Sequence, residues 1–252
     1  MERGVVKKVQ KQSAVQQALG NLKAYVYVLA AQGEYRLPSE EELAQQLGLS
    51  RLTLREALAV LERDGLISRM QGKGTVINPF AQCLKSRIDT SREIDGFLEE
   101  AGYKTSAKLL GYRWQQATAE EAEKLGIDEG EEMLVVEKVF MADQIPAAFY
   151  IDRIPRRKFR HEDFGPADME SSMFALVENA CGCRITHDVL EFIPTVADEK
   201  LAAVFKIPVN TPLLRLDVVV YQGDGSPVMY DTEYYYDKFI RFTLCRNVAY
   251  TS

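Results

Sequence analysis

Two arginines four residues apart carry the strongest chemical signal in this chain. Arg51 and Arg55 follow Ser50, with Thr53 between them, in a segment whose apolar residues recur at helical spacing. A guanidinium offers a planar set of donors to a phosphate or a guanine, and a hydroxyl adds one more hydrogen bond. Because residues four apart share a helix face, the spacing predicts an exposed face that binds nucleic acid.

A second cationic element follows. The run Gln71-Gly72-Lys73-Gly74 separates two short apolar segments, 66–70 and 75–77. Its glycines permit the positive φ angles that a tight hairpin turn needs. Lys73 would then lie at the tip of a hairpin, where it can contact a phosphate backbone.

The elements that must position these side chains have clear boundaries in the sequence. Ser39 stands three residues before Glu42, which is a capping box, so a helix is predicted to begin near Glu40 and to end at Gly48. Ser50 can cap the next helix, and Gly65 ends it. An earlier helix is predicted by an apolar seam, and the buried stripe of the second capped helix is formed by Leu54, Ala57, Leu58 and Leu61. Three helices followed by a hairpin predict a winged helix-turn-helix.

The segment from Leu37 to Thr75 resembles the DNA-binding domain of the GntR family of bacterial transcription regulators. The resemblance implies operator contacts from the helix caps, the second helix and the hairpin: Ser39, Ser50, Arg51, Thr53, Arg55, Gln71, Gly72, Lys73 and Gly74. One position departs from the family pattern, because Glu41 stands where members often carry Arg. A DNA contact is therefore expected to be missing there.

Charge is divided unevenly along the chain. Residues 1–78 hold 11 Lys and Arg against 8 Asp and Glu, although the 252 residues together carry a formal charge of −6. A basic DNA-binding head on an acidic body favours double-stranded DNA at specific sites over non-specific binding along the backbone. The sequence shows neither an apolar run long enough for a bilayer nor a signal peptide, so a cytoplasmic protein without membrane contact is expected.

The cysteines and histidines give no pattern for a metal or a cofactor. Four Cys lack paired C-x-x-C spacing and only two His are present, so neither a zinc site nor a disulfide framework is predicted. The C-x-C pair Cys181 and Cys183 remains a weak alternative for a soft metal. We expect no cofactor.

The remaining chain is predicted to form a linker, 79–90, and a second domain, 91–252. Thr90 and Ser91 are expected to cap a helix over 92–100. An internal repeat follows, because Pro146 aligns with Pro227, and 119–121 with 197–199, at nearly constant separation. Each repeat has the order strand, short helix, strand hairpin, which predicts an α+β domain with helices on one side of an antiparallel sheet and a crevice between the halves.

A helix-turn-helix head followed by this repeat resembles the HutC subfamily, whose UTRA effector domain is related in fold to chorismate lyase. The resemblance implies an effector site that includes positions at a helix cap, in both hairpins and near a second helix cap: Ser91, Arg92, Lys138, Tyr150, Ser172, Phe174, Met229 and Tyr235. Lys138 replaces an Arg of the family, while Tyr150 and Met229 replace Glu. These differences favour a small effector with an anionic end and a flat or apolar body.

The combined interpretation is a homodimeric repressor that binds a pseudo-palindromic operator and is released by a small molecule. A twofold pair of heads is expected because one helix-turn-helix contacts only a half-site. Two alternatives remain open at this point. One is an enzyme of the chorismate-lyase type, since a fold does not establish chemistry. The other is a DNA-binding dimer that senses no ligand.

Overall fold

The computed structural model describes residues 14–70, 72–84, 86–89 and 93–246 of the chain. It forms two compact units, one comprising Met1–Asp89 with Phe242–Ser252 and the other Thr90–Arg241. The units are described separately below.

Three helices form the core of the N-terminal unit: α1 (Ala14–Ala31), α2 (Glu40–Leu47) and α3 (Arg51–Arg63). The predicted capping box at Ser39 is confirmed, and Gly48 ends α2 in the left-handed conformation with φ +64°. The predicted stripe of α3 is buried completely and packs with Leu22 and Val26 of α1. The local caps therefore set the helix ends, and the stripe sets how the helices pack.

The wing consists of β1 (Ile67–Met70) and β2 (Gly74–Ile77), which pair antiparallel. A third segment adds to this hairpin, because Leu37 N donates to the Thr75 carbonyl and Ile77 N donates to the Tyr35 carbonyl. The backbone before α2 is thereby fixed to the wing, so the hairpin is part of the folded head.

Much of the predicted linker is packed on the N-terminal unit. A 3₁₀ helix (Ala81–Leu84) places Ala81 and Leu84 in the core of this unit. Arg87 is buried and pairs with Asp64 and Asp89. The sequence analysis assigned the C-terminal segment to the second domain, but Thr243 pairs with residues 86 and 88 beside Arg87 in the first unit.

The second unit contains a six-stranded antiparallel sheet in the order β3-β4-β5-β8-β7-β6, as predicted for an α+β domain. Its two halves repeat the order strand, helix, hairpin. The strands are β3 (Thr105–Gln116), β4 (Glu132–Ala142), β5 (Ile145–Pro155), β6 (Ile185–Val196), β7 (Pro212–Gln222) and β8 (Pro227–Tyr235). The two hairpins meet where β5 pairs with β8, so the centre of the sheet is the junction of the repeats.

Helices cover both faces of this sheet, and the expectation of helices on one side was wrong. The helices are α4 (Ile94–Glu100), α5 (Ala119–Leu125), α6 (Pro166–Glu170), α7 (Met173–Cys181) and α8 (Glu199–Phe205), with a further 3₁₀ turn at Arg156–Lys158. Leu125 of α5 packs with Met133 and Val135 of β4. Lys138 lies an odd number of residues from Val135 along the strand, so its side chain is on the other face of the sheet. There it contacts the α6–α7 junction at Ser171. Both faces of β4 are buried along most of its length, so runs of consecutive apolar residues replace the alternation of apolar and polar residues.

The helix predicted over 92–100 begins two residues later than expected. Its N-cap residue is Glu93, which makes no side-chain capping bond, whereas the sequence had suggested a cap at Thr90 or Ser91. Thr90 and Ser91 lie outside the described residues.

Candidate nucleic-acid interface and buried polar cluster

The start of α3 has the geometry of a recognition helix. Ser50 Oγ accepts a hydrogen bond from Thr53 N at 3.1 Å and lies 2.8 Å from Thr53 Oγ1. The two hydroxyls therefore cap the helix together. Arg51 and Arg55 point outward, with side chains 69% and 66% exposed. The predicted cationic face exists and is accessible.

Each of these arginines has an acidic partner on α2. Arg51 Nη2 lies 2.7 Å from Glu41 Oε1, and Arg55 Nε donates to Glu40 Oε2 at 2.7 Å. The hydrogen bond to Glu40 raises the pKa of Arg55. Glu41, the residue that departs from the family pattern in the sequence, is thus ion-paired with Arg51. Any ligand of the two guanidinium groups must compete with these two carboxylates.

An open cleft of about 720 Å³ lies between the N-terminus of α2 and the wing. Ser39 lines it, but the Ser39 hydroxyl already donates to Glu42 Oε2 at 2.8 Å and accepts from Glu42 N. Arg36, Arg69 and Gly74 also line the cleft, which gives its wing side two cationic side chains.

The turn of the wing fits the predicted hairpin. Gly72 and Gly74 both have φ +79°, and Lys73, exposed between them, donates its backbone N–H to the Met70 carbonyl at 3.1 Å. Gln71 lies outside the described residues. Apart from Gln71, the structure places all the predicted DNA-contacting residues in one folded unit, on α2, α3 and the wing.

The central sheet of the second unit carries a row of polar side chains on one face. Lys138 of β4 lies directly opposite Tyr150 of β5, which lies opposite Glu233 of β8. Two residue pairs further along, at the next pair on this face, Asp152 of β5 lies opposite Asp231 of β8. Alternation along each strand puts all five side chains on the same face.

Two tyrosines connect this row to a carboxylate. Tyr150 and Tyr235 share a hydrogen bond between their hydroxyls at 2.5 Å, and Tyr235 donates to Glu233 Oε2 at 2.5 Å. Their rings, with centroids 5.8 Å apart, make an edge contact, and Phe140 packs 4.8 Å from Tyr150. The polar row is therefore bordered by aromatic rings.

Lys138 is a buried cation, only 2% exposed. Its Nζ donates to the Ser171 carbonyl at 2.9 Å and lies 5.4 Å from the centroid of Phe140. The predicted placement of Lys138 beside Tyr150 is present. Its amino group, however, already donates to a backbone carbonyl and interacts with the charges of nearby carboxyls. It is therefore not free to bind an anion.

Three carboxyls on this face have altered protonation. Burial raises the pKa of Glu233 to about 8 and that of Asp152 to about 6, although Lys138 opposes the latter shift. Burial, together with the charges of Asp152 and Glu233, raises the pKa of Asp231 well above its usual value. Asp95 of α4, which feels the charge of Lys138, also has a raised pKa because it is buried. At neutral pH the cluster therefore holds protons that ordinary carboxylates would have lost.

The other predicted effector residues are arranged less favourably. Ser172 caps α7, since its Oγ accepts from Ala175 N at 3.1 Å, and it also contacts Glu93. Phe174 is half-buried on α7. Met229 is buried on the same sheet face as Glu233, but four residues away along β8, or about 13 Å. Ser91 and Arg92 lie outside the described residues.

The three carboxyls of the row were not predicted from the sequence. Both glutamates of the family site were expected to be lost, and Glu233, which the structure brings against Tyr235, was not considered. A signal was present in the repeat: Asp152 and Glu233 each stand six residues after the aligned Pro146 and Pro227. Asp231 also shares the alternation of Glu233, and the β7 residues opposite these two acids, Val218 and Leu216, are apolar.

Comparison with known proteins assigns each of the two units to a known family. Residues 31–77 match the family described as bacterial regulatory proteins, gntR family, and residues 100–239 match the UTRA domain. The chain belongs to the GntR family of bacterial regulatory proteins. Its two domains are those expected of the HutC subfamily. The protein is a DNA-binding transcription regulator.

Individual relatives agree with that assignment. The GntR-family chain is 30% identical to the HTH-type transcriptional regulator Rv0792c of Mycobacterium tuberculosis, over 77% of this chain and 71% of the relative. It is 26% identical to the transcriptional repressor NagR of Bacillus subtilis, over 86% and 89% of the two chains. The fold is shared with the crystal structure of the regulator YydK from Bacillus subtilis, at TM-score 0.74 and 18% identity, over 94% and 100%. Among the described residues, no helix is long and apolar enough to cross a membrane.

Proposed function

We propose that this regulator is a homodimeric repressor, released from a pseudo-palindromic operator when a small molecule binds its UTRA domain. The observation that carries the DNA-binding part is the capped start of α3, where Arg51 and Arg55 are exposed in the same unit as the Gly72–Gly74 wing. A twofold pair of such heads would bind two half-sites about one helical turn apart, or a multiple of that distance.

The effector part of the proposal rests on the polar row at the junction of the two repeats. Lys138, Tyr150 and Tyr235 belong to this row and were chosen for it by resemblance to effector-binding relatives. We propose that ligand binding there changes the freedom or spacing of the two heads in the dimer. By linkage, a ligand that releases the operator must bind less tightly when operator DNA is present.

The DNA-binding part is tested by selecting bound sequences from random DNA with purified protein and measuring operator affinity by fluorescence anisotropy. Arg51→Ala should weaken operator binding by roughly 1–3 kcal/mol. Arg63→Ala is the matched control, because Arg63 lies on the same helix but at its other end, with its side chain 74% exposed. Equal effects of the two substitutions would contradict the assigned recognition face.

The effector part is tested by adding metabolites to the protein–operator complex. Release of the operator by a small molecule that also raises the melting temperature would support the repressor mechanism, since a ligand that binds only the folded state stabilises it. If no metabolite changes operator affinity, the UTRA unit functions as a dimerisation domain. Turnover of a bound compound would instead support the enzyme of the chorismate-lyase type.

A further inference from the structure

We propose that the effector of this regulator carries a positively charged group, an amine or a guanidine, which is bound by Asp152, Asp231 and Glu233. The inference rests on the proposed effector function of this unit and specifies its ligand. It reverses the anionic effector that the sequence suggested from Lys138.

The first support is the sign of the charges on this sheet face. The amino group of Lys138 acts on three carboxyls, those of Asp95, Asp152 and Asp231, and a fourth carboxyl, that of Glu233, lies opposite Tyr150 on the same face. A fifth acid, Asp188 of β6, also acts on Glu233, while Arg153 of β5 acts on the two aspartates. Arg153 is engaged on the opposite face of the sheet, where its Nε donates to Glu121 at 2.7 Å. The carboxyls therefore outnumber their cationic partners.

The second support is a lack of hydrogen-bond donors. Asp152 and Asp231 are 1% and 3% exposed, yet no N–H or O–H group of the described residues donates to Asp152 Oδ2 or Asp231 Oδ1. The two carboxyls hydrogen-bond to each other, which requires a proton retained between them. These two oxygens stand opposite one another on the face that also carries Glu233. An N–H donor from a ligand would satisfy both.

Access to this face is provided by the neighbouring pair. Tyr150 and Glu233 are half-buried rather than sealed, and they lie directly next to the buried aspartates along β5 and β8. A small ligand that displaced solvent from this pair would contact Glu233 and would lie beside the next pair on the same face, Asp152 and Asp231.

The aromatic border suits a cation. The centroid of the Tyr150 ring lies 4.8 Å from that of Phe140 and 5.8 Å from that of Tyr235, beside Glu233. Electron-rich ring faces attract ammonium and guanidinium groups, most strongly where water is excluded. A metal ion fits less well, because no group of three His, Cys, Asp or Glu side chains in the described part of the chain could hold one.

The protonation of these carboxyls provides a way to measure binding of a cation. Since burial raises the pKa of Glu233 to about 8 and that of Asp152 to about 6, the unliganded cluster binds protons near neutral pH. A bound cation favours the ionised carboxylates, so it would displace a proton. Affinity for an amine that stays protonated should therefore rise as the pH increases from 6 to 8.

The experiment is isothermal titration calorimetry of the full-length protein with pairs of probes that share shape but differ in charge. Phenethylamine is compared with 3-phenylpropionate, tyramine with 4-hydroxyphenylacetate, and agmatine and putrescine extend the series. We expect millimolar or tighter binding of at least one amine or guanidine, weaker binding of the carboxylates, and proton release that appears as a dependence of the heat on buffer ionisation enthalpy.

Variants locate the binding. Glu233→Gln should weaken amine binding at least tenfold and reduce the proton release. Glu137→Gln is the matched control, because Glu137 lies on β4 in the same sheet but pairs with Arg113 and Lys200 on the other face. Magnesium chloride at equal ionic strength should not reproduce the amine effect.

Three results would overturn the inference: tighter binding of the carboxylates, no binding by any amine or guanidine, or equal amine affinity in Glu233→Gln and the wild type. Operator release is measured separately with the same probes. An amine that binds without affecting the operator would support the ligand class and contradict the gating mechanism. Release by an anionic metabolite would support the mechanism and contradict the ligand class.

Discussion

The two units of this regulator use charged side chains in opposite ways. In the head, Arg51 and Arg55 are exposed and paired with surface carboxylates of α2, so their charges cost little to maintain. In the UTRA unit, Lys138 and Asp152 are buried among other ionisable groups on one sheet face. Their charges are expensive to bury and depend on one another.

This difference shows why substitution of a cation should have different consequences in each unit. An exposed pair contributes little to folding, so its loss is detected mainly in binding. A buried cation favours the ionised form of neighbouring carboxyls, so its loss is detected in stability and in its dependence on pH. The following predictions compare the two units on that basis, beginning with the largest expected effect.

Lys138→Met should lower the free energy of unfolding of the UTRA unit by about 3–5 kcal/mol at pH 8. The substitution removes the donor to the Ser171 carbonyl and the cation that favours ionised Asp152. The loss should be smaller at pH 5, where the carboxyls hold protons. Urea denaturation at both pH values tests this. Lys200→Met, which removes an amino group 54% exposed on the other face, should cost about 0–1 kcal/mol; a similar cost for both variants would contradict the buried-charge interpretation.

Arg55→Ala should weaken operator binding by about 1–3 kcal/mol while changing the free energy of unfolding by less than about 1 kcal/mol. The side chain is exposed and pairs only at the surface with Glu40. Anisotropy titrations over a range of salt concentrations measure the first quantity and urea denaturation the second. Unfolding of the head in this variant would show that the Glu40 pair has a structural role.

Glu233→Gln should change the pH dependence of stability. The raised pKa of about 8 means that the folded state retains a proton that the unfolded chain loses near pH 4.5. The stabilising contribution is thus present below about pH 4.5 and is lost as the pH rises to 8. We therefore compare the free energy of unfolding of the variant with that of the wild type at each pH. This difference should favour the variant more at pH 8 than at pH 5, by at least about 1 kcal/mol, or roughly 2–4 °C in melting temperature. Parallel pH profiles would contradict a raised pKa.

Glu41→Arg should strengthen operator binding by about 0.5–1 kcal/mol and steepen its salt dependence by about one phosphate contact. It removes the carboxylate that holds Arg51 and adds a cation at the position where family members often carry one. Glu129→Arg makes the same change of net charge on an exposed site of the UTRA unit. If both variants bind DNA equally more tightly, only net charge matters and the Glu41–Arg51 pair has no specific role.

Sequence reasoning was accurate where the signal is local. The capping box at Ser39, the left-handed Gly48, the cap at Ser50 and the buried stripe that includes Leu58 all have their predicted places. Each depends on residues within one or two turns of the same helix, so neighbouring residues are sufficient to define it.

The candidate effector site was only partly predictable. Lys138, Tyr150 and Tyr235 were predicted for one site and lie close together on the sheet, but the carboxyls of Asp152, Asp231 and Glu233 were missed and the sign of the ligand charge was therefore inferred from Lys138 alone. The helices on the second face of β4 were also not predicted. The alternation of apolar and polar residues, which would indicate the exposed face, disappears when a strand is covered on both sides.

The sequence by itself determined the helix ends, the apolar stripe, the wing turn and the repeat, since each follows from the conformational preferences of neighbouring residues or from direct comparison along the chain. Only the tertiary structure decided which polar groups meet. Pairing of β5 with β8 brings Asp152 opposite Asp231 and Tyr150 opposite Glu233, and the α6–α7 junction covers that face at Lys138. Burial in this setting raises the pKa values of the carboxyls, a property that belongs to the assembled environment and to no single residue.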